Sequence, residues 1–517
     1  MSRHSKDRDI GTKVDGDLDG TASTLVSGTG AGSARELWLL SYPIVVSMVS
    51  QALMGVVDTF FLGWTEQAPR VSICPFSGNG FVGVEAIVER LPIVGTAQQG
   101  GAGIGAVLSW TLMSFMIGTL TAVTPFVAQN NGSGHRRVCG SFVWQALYLV
   151  VPFALLAFLM GWHVHDFLIL VGPTESIRPY AILYTKIRLF GAAPLFVSFA
   201  LVSFLRGIGD TKTPMWVSVL ANVTNVVLNY LLIFGKAGFP AMGVAGAALA
   251  TVLSSGFGAL LYLTVSLSSR LRRTYGTLGG WRFAPARMKR LLAVGAPIGG
   301  NWFLENGSWA FFAVLVSRLG PRQMAAHTVV LQLMHLSFLP SVAMLIGTTT
   351  LVAHYLGKKQ VEVAQETART SFKVVLGYAL VVGLVFLVAR HRLIGLFNRD
   401  PVVIAVGSRL LLFTALFVLL DGVYLIAVGT LRGAGDTTWP FWFTAISAWC
   451  IFAPLAYVLA NVVGWGIYGA WTALLFHGGF LATALFLRYR KGEWKHADSL
   501  VEPVALPDMD LGTRPVE

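Results

Sequence analysis

The sequence predicts an all-α membrane protein with twelve transmembrane helices, arranged in two pseudo-twofold-related six-helix lobes around a central cavity. Its composition is 55% hydrophobic and only 12% charged, which excludes an ordinary soluble enzyme. Successive apolar runs of about 20–28 residues are each long enough to cross the hydrocarbon of a bilayer. A repeat in the second half of the chain predicts the two lobes.

The apolar runs are separated by short polar connections that contain Gly, Pro, Lys and Arg. We predict twelve helices on this basis. They cover residues 36–63, 104–129, 138–161, 181–206, 214–235, 241–267, 289–318, 324–354, 366–389, 403–431, 440–462 and 466–488.

The repeat is clearest in a polar turn. Leu205-Arg-Gly-Ile-Gly-Asp-Thr211 recurs as Leu431-Arg-Gly-Ala-Gly-Asp-Thr437, an offset of 437 − 211 = 226. Near the start of each half, Pro43 matches Pro297 with the larger offset of 297 − 43 = 254. The first half therefore carries an insertion, which we place in an exterior loop at residues 65–103. The repeated turns read as interfacial connectors whose Asp and Thr cap the next helix. Six helices return the chain to its starting side, so both halves share one orientation.

Basic residues fix the expected orientation. The stretch Arg270–Arg290 holds seven Lys or Arg and no acidic residue, which is typical of a cytoplasmic loop beside anionic lipid. The net charge of +13 lies largely in such loops, so we expect no nucleic-acid partner. We expect a multi-pass protein of the cell membrane with both termini in the cytoplasm. The expected units are a disordered cytoplasmic tail 1–35, a first lobe 36–267, a basic loop 268–288, a second lobe 289–489 and a cytoplasmic tail 490–517.

Three acidic residues lie inside predicted spans: Asp58 in the first, Glu305 in the seventh and Asp421 in the tenth. A charge at the bilayer centre costs about 2.5–3.5 kcal/mol on insertion scales, so such residues usually face a cavity or a partner. A low dielectric disfavours the bare carboxylate, and a proton, Na⁺ or an organic cation can each neutralise it. If binding of one of these cations excludes the others, the movements of the driving ion and the organic cation across the membrane are coupled. Packing or a helix-end position is the alternative explanation, which is strongest for Asp58.

Other polar or aromatic residues are candidates for the cavity wall. Most of the polar ones are spaced along one helix face or flank Glu305, and Gln51 matches Glu305 through the repeat, since 305 − 254 = 51. The Trp residues suit cation–π contact with flat cations. Hydrogen bonding between helices is the alternative for the polar ones. The candidates are Gln51, Asn222, Asn225, Asn229, Asn301, Trp302, Asn306 and Trp309. No hydrolase triad, Walker sequence or metal-binding spacing occurs, so we expect no enzyme, no cofactor and no obligatory protein partner.

Together these motifs resemble the MATE (multidrug and toxic compound extrusion) family of the MOP exporter superfamily, from about Glu36 to Leu487. The resemblance rests on Val57-Asp58-Thr59 after Pro43, both Leu-Arg-Gly-x-Gly-Asp-Thr turns, Asn225-x-x-x-Asn229-Tyr230, and Gly295-x-Pro297 with Glu305. It implies cation-coupled export of organic compounds by alternating access. It also implies that Glu305 and Asp421 bind Na⁺ or protons, as the matching acids do in NorM-like members, and that Asp58 matches the family's first-helix acid.

Two residues depart from parts of that family. Asn229 stands where some members have Asp, which disfavours a paired-acid proton switch in the first lobe. Tyr184–Arg188 before Pro194 resembles the DinF-like branch, whereas Glu305 with Asp421 resembles the NorM-like branch.

The predicted function is therefore a secondary antiporter that exports hydrophobic organic cations in exchange for Na⁺ or H⁺. One alternative is a flippase for a lipid-linked or polysaccharide substrate, which would favour a basic cavity. The other, from a different class, is a passive channel or a membrane receptor.

Overall fold

The computed structural model describes residues 31–63, 95–171, 175, 177–496 and 500–502, and this part of the chain is almost entirely helical. The helices are α1 (Ala34–Gly63), α2 (Gly95–Thr121), α3 (Val123–Gly132), α4 (Arg136–Trp162), α5 (Val164–Val171), α6 (Arg178–Phe190), α7 (Ala193–Gly207), α8 (Lys212–Phe234), α9 (Val244–Ser266), α10 (Ser269–Tyr275), α11 (Pro285–Ser317), α12 (Pro321–Gly357), α13 (Val361–Gly395), α14 (Pro401–Ala434), α15 (Thr438–Ile446), α16 (Ala453–Tyr457) and α17 (Gly466–Lys491).

Twelve spans are formed from these helices. Ten stretches are long and apolar enough to cross a membrane, with α2–α3 and α15–α16 each forming one of them. The pair α6–α7, bent by 54°, makes an eleventh. The twelfth is α11, whose 33 residues are long enough but whose polar middle, around Asn301 to Ser308, lowers its hydropathy. The predicted order and number of membrane spans are therefore confirmed.

Several predicted boundaries are wrong. Helix α2 begins at Gly95, so residues 95–103 of the expected exterior loop are helical, while 64–94 lie outside the described residues. The expected basic loop 268–288 contains the short helix α10. Helix α11 starts early, at Pro285, because proline is well suited to the first turn of a helix. Of the opening tail, residues 1–30 also lie outside the described part, and α1 begins at Ala34.

The sequence repeat is also a repeat of contacts. The Thr124 hydroxyl donates to the Ser203 carbonyl at 3.0 Å, and the Thr349 hydroxyl donates to the Gly429 carbonyl at 3.0 Å. The offsets are 349 − 124 = 225 and 429 − 203 = 226. In the turns that follow, Gly209 and Gly435 have φ values of 87° and 91°, which only glycine adopts readily. Both halves therefore build the same local structure.

The two halves meet through reciprocal contacts between glycine and backbone. A Cβ atom at Gly132 would lie 2.1 Å from the His354 carbonyl oxygen, and one at Gly357 would lie 2.0 Å from the Gln129 carbonyl oxygen. Because 354 − 129 and 357 − 132 both equal 225, each contact is the image of the other. This reciprocity is what a pseudo-twofold axis between the halves requires. We call these contacts the glycine seam.

The seam continues along neighbouring helices at one end of the molecule. A Cβ at Gly347 would meet the Ser41 hydroxyl at 2.4 Å, and one at Gly299 of α11 would meet the Phe115 carbonyl of α2 at 2.2 Å. Basic residues follow the seam directly: Arg136 and Arg137 after α3, and Lys358 and Lys359 after α12. The halves are therefore closed against each other at the end that carries the basic loops.

The seam predicts opposite effects for two glycine substitutions. In Gly357→Ala, the added methyl must displace the Gln129 backbone, and overpacking of this kind costs about 1–3 kcal/mol. In Gly377→Ala, nothing lies within 4 Å of the new methyl, and alanine favours a helix over glycine by about 0.5–1 kcal/mol. Thermal unfolding in detergent should show a lower Tm for the first protein and an equal or higher Tm for the second. Equal Tm values for both would contradict a tight seam.

Candidate functional site

A cavity of about 430 Å³ lies within the second half, with one residue of α2 at its edge. Its walls come from α11, α12, α14, α15 and α17 and from the segment between α15 and α16. Most of the lining is apolar or aromatic, with a few polar groups. The lining residues are Val107, Glu305, Asn306, Ser308, Trp309, Leu331, Met334, His335, Ser337, Phe338, Ser341, Phe417, Val418, Asp421, Tyr424, Thr444, Ala448, Phe452, Leu474, His477, Gly478 and Leu481.

Two carboxylates from different helices face this cavity. Glu305 comes from the polar middle of α11 and Asp421 from the middle of α14, and both side chains are half-buried. They are close enough to interact electrostatically with each other. Two like charges repel each other, and the low dielectric beside an apolar wall makes this Coulomb repulsion stronger. The cavity therefore favours the addition of positive charge.

Polar and charged side chains lie between Glu305 and the end of α14. Tyr424, one turn beyond Asp421, lines the same cavity as Glu305 and interacts with it electrostatically. The guanidinium of Arg432 interacts electrostatically with both Glu305 and Tyr424. Arg432 belongs to the repeated polar turn, and it is only 9% exposed. One of the two repeated turns thus contributes to the electrostatics of the cavity and is more than a connector.

Asp58 forms a separate site in the first half. Its carboxylate accepts a short hydrogen bond from the Asn229 amide and one of 3.3 Å from the Thr251 hydroxyl. The Asn229 amide also donates to the Asn225 carbonyl oxygen at 2.9 Å. Arg188 is close enough to act on Asp58 electrostatically. Asp58 is 8% exposed and is held by donors on α8 and α9, so this carboxylate is buried and partnered.

The structure thus divides the residues singled out by the sequence. Glu305, Asp421, Asn306 and Trp309 line the cavity. The others do not. Asn225 and Asn229 belong to the Asp58 site, and Asn222 bonds to Ser50. Gln51 is exposed on α1, Asn301 is buried, and Trp302 packs against the core of the first half.

Sequence reasoning missed several residues near the acids. Tyr424 carried a usable signal, because it lies three residues after Asp421 and therefore on the same helix face. His335 and His477 line the cavity, and His477 Nδ1 lies 2.8 Å from the Ser447 hydroxyl. Thr251 of α9 had no signal, since only the packing of α9 on α1 brings it to Asp58. Within the described residues, no cluster of three or more His, Cys, Asp or Glu side chains is placed to hold a metal ion.

Comparison with known proteins agrees with this architecture. "Probable multidrug resistance protein NorM" of Geobacillus kaustophilus is 29% identical over 92% of this chain and 98% of its own length. "Multidrug resistance protein MdtK" of Photorhabdus laumondii is 28% identical over 88% of this chain and 94% of its own. A solved structure described as MATE in the bent conformation superposes with a TM-score of 0.77 at 19% identity, covering 92% of this chain and 98% of the other.

The family model MatE matches residues 85–231 and 297–458, which together make up more than half of the chain and fall in both of its halves. The matched regions contain Glu305, Asp421 and both repeated turns. With the two-lobed helical fold, this match establishes that the chain belongs to the MatE family and is a NorM-like, multi-pass multidrug efflux transporter.

Proposed function

We propose that this protein is a secondary active antiporter that exports hydrophobic organic cations in exchange for Na⁺ or H⁺ by alternating access. The observation that carries the proposal is that Glu305 and Asp421 share one largely apolar cavity. Each carboxylate comes from a different helix, so the pair exists only in the folded second half. We propose this pair as the site where the driving ion and the cargo exclude each other.

Exchange follows from charge balance at the pair. With both carboxylates ionised, the cavity holds two interacting negative charges, and among the residues that the structure describes Arg432 offsets them from one side. A proton, Na⁺ or a cationic substrate each relieves the repulsion, and occupancy by one lowers the affinity for another. Inward movement of one charge down a potential of about 100 mV supplies about 2.3 kcal/mol. That energy is available to load or release the cargo.

The residues of the cavity wall support a hydrophobic organic cation as the class of substrate. Trp309, Phe338, Phe417 and Phe452 surround the acids with aromatic surface. Aromatic faces attract cations, by about 2 kcal/mol or more where water is excluded. A volume of about 430 Å³ also lies in the range of pockets that bind small organic ligands. A flat or hydrophobic organic cation satisfies both the acids and the walls.

The glycine seam supports the access cycle. By the positive-inside rule, the end with the basic loops faces the cytoplasm, and both termini lie there, with the protein in the cell membrane. The seam then closes the cytoplasmic side, so we assign the structure to an outward-facing state. Parting the seam and closing the opposite end would expose the cavity to the cytoplasm.

We assign Asp58 a second, first-lobe switch. Its carboxylate is withdrawn from the cavity and accepts hydrogen bonds from Asn229 and Thr251, which join α1 to α8 and α9. Protonation would weaken both bonds, because a neutral acid is a poorer acceptor. The packing of α1 would then depend on the charge of Asp58.

The alternatives are less compatible with the cavity. A lipid-linked phosphate substrate needs cationic groups, and the lining residues that the structure describes include two carboxylates but no Lys or Arg. A channel or receptor can be separated from an antiporter by counterflow. Preloaded unlabelled substrate should drive transient uptake of labelled substrate into liposomes, whereas a pore gives only equilibration and a receptor gives no flux.

Neutralising either cavity acid should abolish export. We expect Glu305→Gln and Asp421→Asn to lower efflux of ethidium from proteoliposomes by at least about tenfold, since each removes a charge that the cycle must neutralise and release. Sodium and proton gradients, imposed separately, identify the coupling ion. The matched control is Asp166→Asn, an exposed acid on α5. Wild-type efflux in both cavity variants would refute the proposal.

Asp58→Asn should have a different signature. Because Asp58 lies outside the cavity, we expect the maximal efflux rate to fall by at least about fivefold while the half-saturating substrate concentration changes by less than about twofold. Thr251→Val, which removes one donor to the carboxylate, should have a smaller effect of the same kind. The measurement is efflux rate against ethidium concentration. A large change in half-saturation at unchanged maximal rate would place Asp58 in substrate binding instead.

A further inference from the structure

The chain beyond the last span returns to the junction between the two halves. Helix α17 ends at Lys491, Gly492 turns the chain with φ of 76°, and a short 3₁₀ helix follows at Glu493–His496. Trp494 in this helix is 1% exposed and stacks on Tyr489 of α17, with ring centroids 5.9 Å apart. The start of this segment is thus fixed to the second half.

Residues Leu500–Glu502, which we call the latch, lie across the seam. The Leu500 N–H donates to the Gln129 side-chain oxygen at 2.9 Å, and the Asn130 amide donates to the Leu500 carbonyl at 3.2 Å. The Glu502 N–H donates to the Asn130 side-chain oxygen at 3.0 Å. Two consecutive residues of α3, in the first half, therefore bind the backbone of the latch.

The leucine side chain connects both halves. Leu500 is 6% exposed and packs within the apolar core of the first half. A Cβ at Gly435, in the repeated turn of the second half, would lie 3.1 Å from it. Beside it, the Gln129 amide donates to the Gly433 carbonyl at 2.9 Å. The Leu500 side chain is thus buried between α3 and the end of α14, and parting the halves would expose it to water.

The Glu502 carboxylate adds an ion pair with the first turns of α11. It accepts from Arg287 Nε at 3.1 Å and lies 3.7 Å from an Arg290 nitrogen. Arg287 in turn donates to the Ser141 hydroxyl of α4 at 2.8 Å, and Arg290 lies over the Phe126 ring of α3. The start of α11 is therefore clamped to the first half. With 20% of the Glu502 side chain exposed, the pair is close enough to solvent to open reversibly.

We propose that the latch holds the glycine seam closed and must leave its position before the cytoplasmic side can open. This inference rests on the alternating access proposed above. Its contacts involve both halves and none of the cavity residues, so the latch acts on the equilibrium between outward- and inward-facing states. It is a regulatory contact built into the fold: weakening it increases the population open at the basic end.

The test measures opening without measuring transport. Ser41 of α1 is completely buried in the seam against Gly347, so a cysteine placed there reacts only when the seam parts. Ser41→Cys is introduced into a protein whose Cys74, Cys139 and Cys450 are replaced by Ala. The readout is its labelling rate with a membrane-impermeant maleimide in inside-out vesicles. Thermal unfolding of each variant separates seam opening from loss of the fold.

The variants are matched in charge and position. Glu502→Gln removes the ion pair, and Leu500→Ser removes the apolar side chain that is buried between the halves. Glu493→Gln makes the same charge change in the same segment, and in the part of the chain that the structure describes the Glu493 carboxylate pairs with Arg488, within the second half. We expect the two latch variants to be labelled at least about threefold faster than the parent, a population shift that a modest loss of differential contact produces. We expect the control to be unchanged.

Unchanged labelling in both latch variants, or equal acceleration by Glu493→Gln, would overturn the proposal. Ethidium efflux from the parent protein reports on the antiport proposal separately. If latch variants speed labelling while the parent exports nothing in either gradient, the latch stands and antiport falls. If the parent exports ethidium while the latch variants are labelled at the parent's rate, the antiport proposal stands and the latch proposal falls.

Discussion

The rest of the structure depends on the close approach of two helix backbones across the pseudo-twofold axis. Gly132 and Gly357 allow α3 and α12 to touch the carbonyls of His354 and Gln129, where any side chain would force them apart. In lipid, helices associate mainly through such close packing, because apolar side chains are already satisfied by the bilayer. Because the halves are closed against each other at this end, the cavity in the second half is not reached through the seam.

The two halves use one scaffold for two different electrostatic tasks. The position that matches Asp58 in the second half is Phe312, since 58 + 254 = 312. Phe312 is fully buried and packs edge-on against His327 and Trp471. An acid with its own donors in one half thus corresponds to an apolar aromatic cluster in the other. The acids of the second half, Glu305 and Asp421, instead face the cavity.

The repeated polar turn shows how a duplicated element acquires different partners. Asp210 accepts from the backbone N–H and the hydroxyl of Thr213 in the first turn of α8, as expected from the sequence, whereas the Thr211 side chain, also expected to cap this helix, does not. Its counterpart Asp436 pairs with Arg488 of α17 at 3.0 Å. Arg432 acts on Glu305, and Gly433 and Gly435 border Gln129 and Leu500. The second copy therefore lies between the polar side chains near Glu305 and the latch.

The sequence by itself determined the twelve spans, the repeat and the position of the acids within apolar helices. Each of these depends on length and hydrophobicity along the chain. A carboxylate within an apolar run can be recognised however the helices pack. Only the tertiary structure decided that Asn229 serves Asp58, that Trp302 packs in a core, and that Leu500 binds Gln129. These contacts join residues that are hundreds of positions apart. They depend on how each helix is rotated about its axis and on how closely it approaches its neighbour. At the seam, glycines set the distance of approach, and no local sequence pattern specifies the rotation.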